Sequence, residues 1–110
     1  MILNQNTKRI ISKNEKYCKS FFSQALGLMF SSRKNLIMEF PQEISISLHN
    51  FFVFYPLEIL ILDKNKKVIE IKKKFLPFTF YNPKTKGKFV IELWKEESKR
   101  KVKVNQILVF

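Results

Sequence analysis

The stretch from Ser45 to Lys74, SISLHNFFVFYPLEILILDKNKKVIEIKKK, constrains this chain more than any other. It holds three strand-like runs separated by one proline and one Asp-Lys-Asn turn. Ile44, Ile46 and Leu48 alternate with Ser45, Ser47 and His49, the pattern of a strand with one buried face. From Phe51 to Tyr55 the alternation stops and every side chain is large and apolar. That run is either buried on both faces or leaves an apolar patch at the surface. Pro56 breaks it, and Leu57 to Leu62 follows. Asp63-Lys64-Asn65-Lys66 is a hairpin turn signal, because Asp caps its own turn and Asn tolerates a positive φ. Lys67 to Phe75 returns, with Ile69, Ile71 and Phe75 on one face and Val68, Glu70, Lys72 and Lys74 on the other.

Part of this stretch has the length of a membrane span. Residues Ile44 to Leu62 are mostly apolar, and a span needs about 20 such residues. His49, Asn50, Pro56 and Glu58 interrupt them, and their β-branched and aromatic character favours two strands over a helix. The opening MILNQNTKRIISK has neither the apolar core nor the small-residue cleavage site of a signal peptide. Cys18 is the only cysteine, so no intrachain disulfide forms. These features predict a cytoplasmic protein with no membrane span, in which Cys18 serves as a small hydrophobe.

A length of 110 residues predicts a single domain over 1–110. Ahead of the central stretch, Lys8 to Ile11 reads as a short strand. Ser20 is a candidate N-cap for the short helix SFFSQALGLMF, closed at Gly27. Asn35 to Phe40 reads as a strand stopped by Pro41. After it, Pro77 and Pro83 bracket an aromatic loop, and Lys88 to Leu93 and Val102 to Phe110 read as strands. Many short strands with one helix predict a mostly β fold: an antiparallel β sandwich or partly open barrel with one short N-terminal helix.

Three pieces of the chain carry a resemblance. One is Gly27-Leu28-Met29-Phe30. The second is Ser47-Leu48-His49 with Pro56-Leu57-Glu58 and Ile61-Leu62-Asp63, running on into Lys67-Val68-Ile69-Glu70-Ile71. The third is Leu76-Pro77-Phe78 followed by Phe89-Val90-Ile91-Glu92-Leu93. In order and spacing, about residues 20–93 resemble the domain of unknown function family 192, in its archaeal form. The resemblance implies a compact, mostly β domain and no particular activity. The chain departs from the commoner bacterial pattern at several places. His49, Asn50, Phe51, Phe52 and Val53 replace a Trp-Met-Lys-Asn-Thr run, Gln24 an Arg, and Glu58 an Asp; Asn105-Gln106 replaces a Gly-Asp pair.

Charge divides the chain into three. The net formal charge of +12 is distributed as +6 over residues 1–34, −4 over 35–63 and +10 over 64–110. Basic flanks around an acidic, apolar centre suit a surface that faces a polyanion. A solvated, mutually repelling lysine surface accounts for the same composition, since 18 of the 21 basic residues are Lys and Arg is the better bidentate reader of phosphate. Lys72 with Lys74, and Lys101 with Lys103, each share a strand face by alternation. If the two strands are neighbours they form one stripe, joined by Lys86 and Lys88. Phe78, Phe80, Tyr81 and Trp94 are candidate stacking faces beside it.

Among titratable groups, His49 is the only histidine. It is either a proton carrier or a metal ligand, with Glu58 and Asp63 nearby across the hairpin, or a hydrogen-bonded strand residue. Asp63 has an ordinary role as a turn starter. Glu58 shares a face with Leu60 and Leu62; if that face is core, it needs a partner, because an unpaired buried carboxylate is costly. With two glycines in the chain, phosphate-cradling loops are excluded. No metal motif appears, and no cofactor is expected. Three readings remain: a non-enzymatic binding module with a basic face for nucleic acid or an acidic protein; a homo-oligomer joined through Phe51, Phe52, Phe54 and Tyr55; and an enzyme using His49 with Glu58 or Asp63.

Overall fold

Three sheets account for every strand among the described residues. The computed structural model describes residues 1–18, 35–46, 48–49, 57–76, 79–94 and 102–110, with only the backbone described at Cys18, Leu48 and His49. The strands are β1 (Ile2–Asn4), β2 (Ile10–Ser12), β3 (Glu15–Cys18), β4 (Asn35–Ile44), β5 (Leu48–His49), β6 (Leu57–Leu62), β7 (Val68–Phe75), β8 (Phe80–Tyr81), β9 (Gly87–Trp94) and β10 (Leu108–Val109). A five-stranded sheet runs β3-β4-β9-β6-β7, a three-stranded sheet β10-β1-β2, and β5 pairs with β8. The helix expected from Ser20 and the apolar run Phe51 to Tyr55 lie outside the described residues.

The five-stranded sheet is covered on both faces. On one side Ile37, Leu60, Leu62, Phe89, Ile91 and Leu93 pack against Ile2, Ile11 and Leu108 of the small sheet. This is the sandwich core. On the other side Leu36, Met38, Leu57, Ile59, Ile61, Phe75 and Val90 pack with Ile46, and the half-buried Tyr81 joins them. Strand β6 lies between β9 and β7, and all six of its residues are buried. Two covered faces explain its near-continuous apolar sequence, LEILIL. The fold is therefore mostly β, with packed sheets that do not close into a barrel. Its sheets are antiparallel except at one edge, where β3 runs parallel to β4.

Several local features differ from the expectations drawn from sequence. Val102 to Phe110 is not one strand: a turn closed by Gln106 N–H donating to the Lys103 carbonyl at 3.2 Å precedes the short β10. Strand β4 does not stop at Pro41 but continues to Ile44. Its register with β9 shifts between Glu39, opposite Phe89, and Ile44, opposite Gly87. Pro41 falls inside this irregularity, where no ladder hydrogen bond is asked of it. In β7, Lys72 faces Ile59 and Phe75 faces Leu57; nearer the turn, Glu70 faces Ile61 and Val68 faces Leu62. Each shift inserts one extra residue, so Ile69 and Ile71 pack on opposite faces rather than together. Finally, the hairpin turn is capped by Asp63 Oδ1, which accepts from the Asn65 and Lys67 N–H groups at 2.9 and 3.0 Å. Its positive φ falls on Lys66, at 63°, and not on Asn65. The Lys66 ammonium donates to the Phe110 carbonyl at 2.7 Å and lies 4.2 Å from the Phe110 ring centroid, which offsets the cost of that backbone.

Candidate functional site

Strand β7 forms one edge of the large sheet. The start of that edge is already covered by the chain itself. Val68 N–H donates to the Gln106 carbonyl at 2.8 Å, Asn105 N–H donates to the Val68 carbonyl at 2.7 Å, and Leu108 N–H donates to the Lys66 carbonyl at 3.0 Å. Beyond this point Lys72, Lys73 and Lys74 are all exposed. Lys103, also exposed, sits in the turn that makes the contact with Val68. The last segment and β7 are therefore neighbours, but Lys103 lies in a turn rather than on a strand, so the strand-face alternation expected of it does not hold. The second register shift in β7 means that Lys72 and Lys74 do not follow simple alternation; Lys72 reaches toward the Tyr81 ring, 5.7 Å away. Lys101 lies outside the described residues. Lys86 is exposed, whereas Lys88 is half-buried and ion-paired with Glu39 at 3.3 Å.

The carboxylate of Glu70 on this strand, and those of Glu43 and Glu39 across the sheet on β4, are occupied by other donors. Glu70 Oε1 accepts from the Lys84 and Thr85 N–H groups at 2.9 and 3.2 Å and from the Thr85 hydroxyl at 3.1 Å, while Oε2 accepts from the Tyr81 hydroxyl. Desolvation pushes the Glu70 carboxyl up, but these donors outweigh it and leave its pKa lowered. The Tyr81 hydroxyl is pushed upward by its own desolvation and by the Glu70 hydrogen bond and charge. Glu43 accepts from the Lys64 N–H at 3.0 Å, and Glu39 accepts from the Tyr17 hydroxyl as well as Lys88. Desolvation, with help from Glu39, pushes Tyr17 to about 12. Among the described residues, Lys88 is the only basic side chain ion-paired with a carboxylate.

A second polar group lies across the sheet, where β4 begins and β9 ends. Asn35 is buried and bridges three strands: its Nδ2 donates to Ser12 Oγ at 2.8 Å, and its Oδ1 accepts from the Trp94 N–H at 2.9 Å. Ser12 Oγ in turn donates to Glu15 Oε1 at 2.8 Å. Glu58, opposite Leu93 on β9, is buried on the Leu60 and Leu62 side and is not without a partner. Asp63 closes the other end of the same strand, about five residues or roughly 17 Å away, so no single site holds both carboxylates. His49 lies on β5 opposite Phe80. Of the candidate stacking faces, Phe80 is 65% exposed, Tyr81 and Trp94 are half-buried, and Phe78 lies outside the described residues.

Sequence reasoning passed over Glu92. It is buried in the middle of β9, between Leu36 on β4 and Ile59 on β6. Its Oε2 has no hydrogen-bond partner among the described residues, and burial pushes its pKa up to about 8. One signal was available: a lone acid inside the apolar run FVIELW.

The family model DUF192, described as "Uncharacterized ACR", matches residues 2–110. The chain belongs to this family. Archaeal relatives share it. A UPF0127 protein of Pyrococcus horikoshii is 32% identical over 95 residues, covering 84% of this chain and 82% of that protein. A UPF0127 protein of Thermococcus sibiricus is 29% identical over 96 residues, and there the chain spans 62% of the relative's length. Two solved structures share the fold. One, from Sinorhizobium meliloti 1021 and provisionally described as a transcription regulator, superposes with a TM-score of 0.81 at 15% identity over 98% of this chain and 88% of that one. The other, a protein of unknown function from Novosphingobium aromaticivorans, gives 0.75 at 17% identity over 87% of this chain and 74% of that one. The family resemblance also explains Asn105-Gln106, which stand where a Gly-Asp pair was expected. Asn105 has a φ of 77°, a conformation natural to Gly and tolerated by Asn. Gln106 Oε1 accepts from the Lys103 N–H at 2.8 Å and from Asn4 Nδ2 at 2.7 Å, so both residues serve a turn.

Proposed function

We propose that this chain is a small, non-enzymatic binding module that takes an acidic partner along the lysine-bearing edge of β7. One observation carries the reading: Lys72, Lys73 and Lys74 are exposed in succession on a sheet edge, and the carboxylate of Glu70 on the same strand is spent on backbone and hydroxyl donors. The positive charge is thus left for something outside the described residues. Lysine point charges without arginine forks suit attraction by charge more than recognition of a fixed phosphate geometry. No helix among the described residues is long and apolar enough to cross a membrane. A reducing, cytoplasmic setting suits a module with one cysteine.

The test is retention on a polyanion such as heparin or polyglutamate across a salt series. Several charge contacts give an affinity that falls about tenfold to a thousandfold between low and moderate salt. A triple variant, Lys72→Gln, Lys73→Gln and Lys74→Gln, removes most of that retention. Equal retention by the triple variant overturns the reading.

A further inference from the structure

We infer that the acidic partner is an extended polypeptide segment that adds to the sheet as a further strand along β7 from Ile71 to Lys74. The inference rests on the proposed function and specifies the partner's chemistry. Three observations lead to it. The edge already accepts a strand: residues 105–108 hydrogen-bond to Lys66 and Val68 through backbone groups alone, including the isolated bridge between Lys67 and Ile107. Past Val68 that covering segment turns away at Asn105, and no described residue pairs with the outer backbone of Lys72, Lys73 or Lys74. The open stretch is also strongly cationic, with three exposed ammonium groups in succession and Lys72 turned toward Tyr81.

An added strand satisfies the open N–H and C=O groups, while its Glu or Asp side chains meet lysines on the two sides of the ladder. A nucleic-acid backbone offers no peptide ladder, so it answers only the charge. Lysines on an edge also deter pairing with neutral, apolar strands. The same three residues then exclude unspecific partners and admit an acidic one, and the contact with residues 105–108 sets the line along which that strand lies.

The experiment measures binding of a six-residue alternating Glu-Val peptide by fluorescence anisotropy at low salt. The comparison ligands are the same peptide N-methylated at alternate amides and a single-stranded oligonucleotide of equal charge. The expected result is at least tenfold weaker binding of the methylated peptide, since about two or three lost net hydrogen bonds together are worth that much. Amide chemical-shift changes are expected to centre on Ile71 to Lys74. Equal affinity for both peptides, or stronger binding of the oligonucleotide, overturns the strand-addition inference and leaves the basic-edge reading standing. Binding of none of the ligands, or binding unaffected by Lys72→Glu, Lys73→Glu and Lys74→Glu together, overturns both. The charge-reversed triple variant is expected to bind a Lys-Val peptide instead, which shows that the edge remains folded.

Discussion

Two carboxylates of the same sheet, Glu92 in its middle and Glu70 at its edge, have opposite surroundings. Glu70 collects four donors from Tyr81, Lys84 and Thr85, and its pKa falls. Glu92 lies between Leu36 and Ile59 with one oxygen unpartnered, and its pKa rises to about 8. A middle strand is bounded by ladders on both sides and packing on both faces, so its neighbours are apolar side chains. An edge strand lies within reach of loops, whose free N–H groups go to any acceptor. Location in the sheet, more than residue type, decides whether a Glu here is a charged anchor or a neutral acid.

The largest expected effect breaks or confirms that contrast. Between about pH 4.5 and 8, folded Glu92 keeps a proton that the unfolded chain has lost. Stability therefore falls as pH rises through this window, by up to about 5 kcal/mol if the full shift is expressed. Urea midpoints measured from pH 5 to 9 follow it, and Glu92→Leu flattens the slope. A wild-type midpoint that stays level across the window removes the contrast. The next effect concerns the tightness of the middle. A Cβ added at Gly87 meets Ile61 Cγ2 at 2.5 Å and the Leu62 carbonyl oxygen at 3.3 Å. Gly87→Ala is expected to cost about 1–3 kcal/mol by denaturant titration.

At the edge the effects shrink. Glu70→Gln keeps the shape of the side chain but loses the charge that its donors share, so a cost of about 1 kcal/mol is expected near neutral pH. Because the folded pKa of Glu70 is lowered, its stabilisation is present above the unfolded value and fades as pH falls through the folded one. The mutant and wild type should converge in acid, and a constant difference down to low pH excludes the ionic role. Lys73→Ala, in the most open stretch, is expected to change stability by less than about 0.5 kcal/mol while weakening retention on polyanions.

The sequence made the interior legible and the irregularities obscure. Leu57 to Leu62 reads as a strand at its observed bounds, because a run with two covered faces shows it as unbroken apolarity. The family likewise follows from motifs spread along the chain. Pro41 misleads, since a proline stops a regular strand but fits inside a register shift, and nothing in NLIMEFPQEI marks that shift. The faces of β7 mislead for the same reason: alternation counts residues, and two bulges change the count without changing composition. The polar bridge of Ser12, Asn35 and Trp94 was invisible because its members lie 23 and 59 residues apart. The lysine edge was half legible. The sequence shows the run, but only the pairing of Val68 with residues 105 and 106 shows that it borders an open ladder.

The pairing of β1 with β10 carries a consequence for how this molecule comes into being. Leu3 lies opposite Val109, and Asn6 Oδ1 accepts from the Ile107 N–H across 101 residues. Strand β1 therefore gains this partner only once β10, about a hundred residues further along the chain, is in place. Until then the small sheet lacks one of its three members, and the face bearing Leu60, Ile91 and Leu93 has an incomplete cover. Closure of so distant a contact is slow compared with hairpin formation, and the exposed face is open to mispairing while it lasts. Among the described residues, the sandwich core is thus a part of this fold whose completion depends on the most distant pairing in the sequence.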